Sequence, residues 1–168
     1  MPGTAEIFHA YLTDVFVETG SHIGEGIAAA LAAGFKEVRS IDAGEAQYWY
    51  CLARFQGDLR VRLWRGDSAL RLKDMIADVE WPATFWLDGH YSEGDTCRCE
   101  HEQPLLFELA QIADHPVKNH FVLIDDWRDY YYHAEKIHGY LGKIMTRGYK
   151  TALVNDIYVA MPEQGRVR

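Results

Sequence analysis

Only three cysteines, Cys51, Cys97 and Cys99, stand among the 168 residues. They are odd in number and too few for a disulfide framework, which suits a reducing compartment. The five prolines (Pro2, Pro82, Pro104, Pro116 and Pro162) are scattered, and no repeat or low-complexity tract interrupts the chain, so no linker divides it. No run approaches the roughly 18 consecutive apolar residues of a membrane span. The opening MPGTAEIFHAYLTDVF also lacks the basic head and apolar stretch of a secretory signal. A cytoplasmic protein without a membrane partner is expected. Basic charge is short too: 17 Lys and Arg against 25 Asp and Glu leave a net charge of −8, which repels a phosphate backbone and makes nucleic acid an unexpected partner. What remains is 48% hydrophobic and 25% charged, the composition of one globular domain across residues 1–168.

The order of elements carries the next inference. VFVE at 15–18 precedes a helix over 24–33, VRSID at 38–42 a helix over 45–55, and LRVRLW at 59–64 a helix over 68–77. TFWLD at 84–88 precedes a loop and a helix over 104–112, and HFVLIDD at 120–126 leads into a helical stretch over 129–146. Five strand–helix units in a row predict an α/β fold with a parallel sheet covered on both faces. The end breaks the rhythm: 149–155 and 157–162 are separated only by Asp156 and can pair only as a hairpin. The expected architecture is a Rossmann-like three-layer sandwich, with seven strands, mostly parallel, and a C-terminal antiparallel hairpin. That pattern resembles the class I S-adenosylmethionine-dependent methyltransferase fold from Val15 to Pro162.

Strand one ends in Glu18-x-Gly20-x-x-x-Gly24 before an Ala-rich helix. Glycines serve where backbone must approach a ligand or adopt positive φ, and they equally let a strand turn tightly into a helix. The spacing is similar to the methyltransferase glycine motif, and the resemblance implies that Glu18, Thr19, Gly20, Ser21, His22 and Gly24 surround the methionine part of the cofactor. Asp42, at the end of strand two, is placed to accept from ribose hydroxyls or to cap the next helix. After strand three come Asp67 and Ser68, where the resemblance implies an adenine contact and where Asp67 is equally a helix cap.

Asp88 ends strand four, His90 follows two residues later, and Asp125 and Asp126 end strand five. Clustered carboxylates are costly without a cation or proton, and oxygen ligands suit magnesium, manganese or calcium. The arrangement resembles metal-dependent O-methyltransferases of the catechol and macrocin-like sugar groups. It implies Asp88, Asp125 and Asp126 as ligands of a divalent cation such as Mg2+, and Asp88 as both a cofactor contact and a catalytic group. The catechol type places a catalytic lysine where this chain has Tyr91, so His90 is the candidate base, or else a loop histidine bonding a neighbouring carbonyl or stacking on the cofactor. Asp125 and Asp126 also suit capping of the following helix. Cys97, Cys99 and His101 lack the second ligand pair that structural zinc requires. Of Tyr130, Tyr131 and Tyr132, at least one is expected at the substrate crevice or a subunit contact.

Two rivals remain on the sequence. Thr19-Gly20-x-x-x-Gly24-x-Gly26 together with Tyr132 and Lys136 also matches a short-chain NAD(P) dehydrogenase, against which the terminal hairpin and the acidic Glu18 argue. A domain binding S-adenosylmethionine could also carry other sulfonium chemistry, or none. The expected function is methyl transfer from S-adenosylmethionine to an oxygen of a small-molecule acceptor. With few residues outside 15–162, no cap over the crevice is expected, and the acceptor is expected to bind in an open site or under a lid supplied by a neighbouring subunit of a homo-oligomer.

Overall fold

The structure, a computed structural model, describes residues 4–89 and 104–163. Its elements in chain order are α1 (Ala5–Ala10), β1 (Val15–Thr19), α2 (Glu25–Ala33), β2 (Glu37–Asp42), α3 (Glu45–Arg54), β3 (Val61–Arg65) and α4 (Ser68–Ile76). There follow β4 (Thr84–Leu87), α5 (Leu105–Asp114), β5 (Phe121–Ile124), α6 (Ala134–Ile144), β6 (Tyr149–Val154) and β7 (Ile157–Pro162). One seven-stranded sheet runs β3-β2-β1-β4-β5-β7-β6. Pairing is parallel from β3 to β5, while β7 runs antiparallel to both β5 and β6. The order reverses between β1 and β4, and a crevice beside such a reversal, at the carboxyl ends of the strands, is where open α/β sheets bind ligands.

Alternation along each strand feeds two cores. Val17, Ile41, Phe85, Leu87, Val122 and Ile124 pack under α4, α5 and α6, whereas Phe16, Val38, Trp86, Leu123 and Val159 pack under α1, α2 and α3. Strands β1, β2, β4, β5 and β7 thus bury both faces, as continuous apolar runs such as FWL and FVLI require, while the edge strands β3 and β6 are partly exposed. At the opposite, amino edge, the Arg39 guanidinium is buried and donates to Glu37, to Asp78 and to the Met75 carbonyl, joining β2 to the end of α4.

The structure departs from the sequence expectation in three places. Helix α1 has only six residues, too short to hold itself in water. It is kept by the Thr4 cap and by Phe8, whose ring lies 4.7 Å from Phe16 and 5.1 Å from Trp86. Strand β3 starts at Val61, because Asp58 turns the chain by accepting from the Arg60 amide and leaves Leu59 exposed. The stretch expected as one helix over 129–146 instead begins with two single 3-10 turns, Trp127–Asp129 and Tyr131–His133, before α6. There the amides of Trp127 and Arg128 donate to Asp156 in the β6–β7 turn rather than along a helix.

Candidate functional site

The turn after β1 is built from left-handed backbone. Gly20 has φ +86° and Gly24 φ +79°, with His22 at +44° between them. A Cβ on Gly20 would stand 2.5 Å from the Asp88 carbonyl oxygen, so only glycine lets the tip of β1 lie against the tip of β4. The Asp88 amide donates to the Thr19 carbonyl at 3.2 Å, extending the parallel register beyond both strands. A Cβ on Gly24 would likewise strike the Phe55 ring.

Asp42 binds this turn to the next loop. Its carboxylate accepts from the His22 amide at 2.8 Å and from the Gly44 amide at 2.7 Å. The Ser21 amide bonds it as well, which leaves part of a carboxylate's roughly four acceptor positions available for hydroxyls outside the protein. Burial pushes the Asp42 carboxyl up, and the Gly44 and His22 amides oppose it. Of His22, the structure thus shows a working main-chain N–H, while the side chain is exposed. Glu18 is buried beneath α2. It accepts from the Ser40 hydroxyl, which pairs with the Ser21 hydroxyl at 2.6 Å. Gly26 is the residue above it, since a Cβ there would overlap Glu18 Oε1. Burial raises the Glu18 carboxyl well above its ordinary value, and Asp88 and Asp42 add to the rise.

Asp67 caps α4, its side chain accepting from the Ala69 amide at 2.9 Å, and the Gly66 amide donates to the Asp42 carbonyl at 2.8 Å. The helix-cap reading of Asp67 is therefore realised, and the tips of β2 and β3 share one edge. Ser68 is buried and donates to Glu108 Oε1 at 2.5 Å.

Glu108 was not among the residues singled out from sequence. It is 1% exposed on α5 and also bonds Thr19. Burial pushes its carboxyl up to about 7, with Asp67 and Asp88 adding to the rise against Ser68 and Thr19. The signal was present in LLFELAQIAD: Glu108 interrupts the buried stripe of Leu105, Leu109 and Ile112. Asp125 is buried to 5% exposure and pushed up to about 6, by desolvation first and by Asp88 second. Tyr130, the buried member of the tyrosine run, has its phenol raised by burial, with Glu108 and Asp88 adding to it, while Tyr131 and Tyr132 are exposed. Asp88 thus acts electrostatically on Glu18, Glu108, Asp125 and Tyr130, at the centre of an acidic edge.

The expected metal ligands do not assemble in this way. Among the described residues no group of three His, Cys, Asp or Glu side chains could hold a metal ion. Asp126 takes a left-handed conformation at φ +46°, and its carboxylate pairs with Arg128 at 2.9 Å, so a guanidinium occupies one of its acceptor positions. Asp88, Asp125 and Asp126 are near neighbours along the edge but do not fit a shared divalent cation. His90, Tyr91, Cys97, Cys99 and His101 lie outside the described residues. Tyr132 and Lys136, the dehydrogenase pair, fall in the second 3-10 turn and on α6, both exposed, beside a sheet whose last strand is antiparallel. Among the described residues no helix is long and apolar enough to cross a membrane.

No protein-family model and no curated protein matches the chain. Solved structures do. A methyltransferase of Podospora anserina bound to S-adenosylhomocysteine superposes with a TM-score of 0.60 at 12% identity, over 90% of this chain and 72% of that one. An rRNA methylase of Streptococcus thermophilus gives 0.54 at 17% identity, over 94% and 91%. The N-methyltransferase NodS of Bradyrhizobium japonicum, in complex with S-adenosylhomocysteine, gives 0.54 at 10% identity, over 88% and 76%. The chain has the class I methyltransferase fold. Its seven mostly parallel strands and terminal antiparallel hairpin are those expected from the sequence, and the three neighbours differ among themselves in what they are named for.

Proposed function

We propose that the chain is an S-adenosylmethionine-dependent methyltransferase acting on an oxygen of a small molecule. Support comes from one arrangement: the Asp42 carboxylate brackets the Gly20–Gly24 turn at the edge where Asp67 and Asp88 also end their strands. In the reading, the turn receives the methionine part, the remaining acceptor positions of Asp42 take the ribose hydroxyls, and the Asp67–Ser68 loop borders the adenine. The residues fit the cofactor's charge, since carboxyls raised by burial first, with Asp88 adding to the rise, gain from a nearby cation. When bound, S-adenosylmethionine supplies an electrophilic methyl on a sulfonium centre.

The protein's part is to align the acceptor and to manage its proton. Asp88 borders the reacting edge, and Asp125 beside it holds its carboxyl near 6, suited to accepting a hydroxyl proton close to neutrality. The net charge of −8 favours a small acceptor over RNA. Calorimetry with S-adenosylhomocysteine tests the cofactor, and turnover of small hydroxylated acceptors against an RNA duplex tests the acceptor class. Binding of the cofactor with methylation of RNA alone would keep the first half of the reading and overturn the second.

A further inference from the structure

Three tips of the carboxyl edge meet on one buried carboxyl that no step above uses. Glu108 accepts from Ser68 in the first turn of α4 and bonds Thr19 at the end of β1. Its Oε1 lies 2.9 Å from where a Cβ on Gly89 would stand, just past β4. One turn along α5, Gln111 repeats the grip: its side-chain nitrogen donates to the Ser68 and Ala69 carbonyls at 3.0 and 2.9 Å, and its oxygen accepts from the Lys73 amide at 2.8 Å. Helix α5 therefore holds the start of α4 at two points. At the inner one it also touches the tips of β1 and β4.

Hydrophobic packing alone would place α5 well enough, as Leu105, Leu109 and Ile112 show. A carboxyl in that stripe costs desolvation that an apolar residue would avoid. The groups that face it are Asp67 at the tip of α4, Asp88 at the tip of β4 and the Tyr130 phenol from the segment after β5. Both acids are strand-tip residues of the proposed cofactor site.

We propose that Glu108 is a positioning residue of the cofactor crevice, fixing the spacing between the Thr19–Gly20 turn and the Asp67–Ser68 loop that must close on opposite ends of one ligand. The inference rests on the proposed function and deepens it. In a crevice assembled from separate loops, holding those loops in register supplies affinity, because less ordering remains to be done on binding. An apolar side chain would fill the space but release both hydroxyls, whereas glutamine could bond both without carrying a charge.

The test compares wild type, Glu108→Gln and Glu108→Leu by calorimetry with S-adenosylhomocysteine from pH 5.5 to 8.5, with melting temperatures recorded alongside. Glu108→Leu, folded by its melting transition, should bind at least about tenfold more weakly, and Glu108→Gln should stay within about threefold of wild type at low pH. Wild-type affinity should also show a transition near pH 7 that Glu108→Gln lacks, which a purely structural role would not produce. If Glu108→Leu fails to fold, loss of the pH transition in Glu108→Gln decides the matter alone. Wild-type binding that neither variant alters at any pH overturns the positioning role and leaves the functional reading standing. Absence of binding by wild type overturns both.

Discussion

Asp42 and Asp88 sit on the two tips that flank β1, yet their surroundings divide their work. Asp42 secures backbone amides and keeps acceptor capacity outward, so Asp42→Ala should weaken S-adenosylhomocysteine binding by about tenfold or more, as loss of hydrogen bonds to a charged group implies. Asp88→Ala should chiefly lower turnover, by about a hundredfold, since Asp88 borders the reacting edge and acts on the Asp125 carboxyl beside it. Equal loss of binding in both variants, measured by calorimetry, would contradict this division. Glu108 gives a sharper expectation through its proton. Folded, it keeps that proton to about pH 7, and unfolded it releases it at the ordinary glutamate value. Between those values the unfolded chain binds fewer protons, so stability falls as pH rises through the window and levels off above it. Glu108→Gln should therefore be more stable than wild type at pH 8, by up to about 3 kcal/mol, with the gain gone at pH 4. Urea unfolding at the two pH values checks the sign. Residues that work through position, Asp42 and Gly20 among them, were legible because a strand end and a glycine spacing announce them. Glu108 was not, because its role depends on which helix face meets which loop, and a helix face in isolation names no partner.

Among elements, the β1 turn and the β2–α4 junction make opposite demands. At the carboxyl edge, close approach requires an absent side chain: Gly20→Ala would add both a strained positive φ and a 2.5 Å contact with backbone that cannot swing away. A loss of about 1 to 3 kcal/mol is expected, with weaker cofactor binding, read by thermal unfolding and calorimetry. A full-strength Gly20→Ala variant would show that the β1 and β4 tips are not packed as described. At the amino edge, close approach instead requires a charge. Arg39 is 3% exposed and serves Glu37, Asp78 and the Met75 carbonyl together. Arg39→Ala should cost roughly 2 to 4 kcal/mol in urea unfolding while leaving cofactor affinity unchanged, since the pair lies at the far end of the sheet. Strands and most helices could be placed from periodicity, because the inner strands bury both faces and read as short apolar runs. The segment after β5 could not: its aromatic residues keep a helical look, but the β6–β7 turn captures its amides through Asp156, a contact made only in three dimensions.

For the whole molecule, the parallel sheet and its antiparallel end follow from two facts visible in the chain: five strand–helix units that need crossovers, and two final strands too close together for one. The cofactor edge is legible for the same reason, since acids at successive strand ends must share an edge once the strands are parallel. The metal expectation gains no support at a finer level, since among the described residues no three such side chains could hold an ion. Three aspartates in neighbouring turns can share an edge without converging, and Arg128 draws Asp126 aside. Under the proposed function, the sulfonium of S-adenosylmethionine is the cation this acidic edge receives. A thermal melt of the wild-type protein with S-adenosylmethionine, S-adenosylhomocysteine and NADP+ tests this most directly, because only a ligand of the native state raises the melting point. A rise with both S-adenosyl compounds, corresponding to about 2.7 kcal/mol at a hundredfold excess over Kd, and no rise with NADP+ is the predicted result. No shift with either S-adenosyl compound at millimolar concentration, or a shift with NADP+ alone, would contradict it.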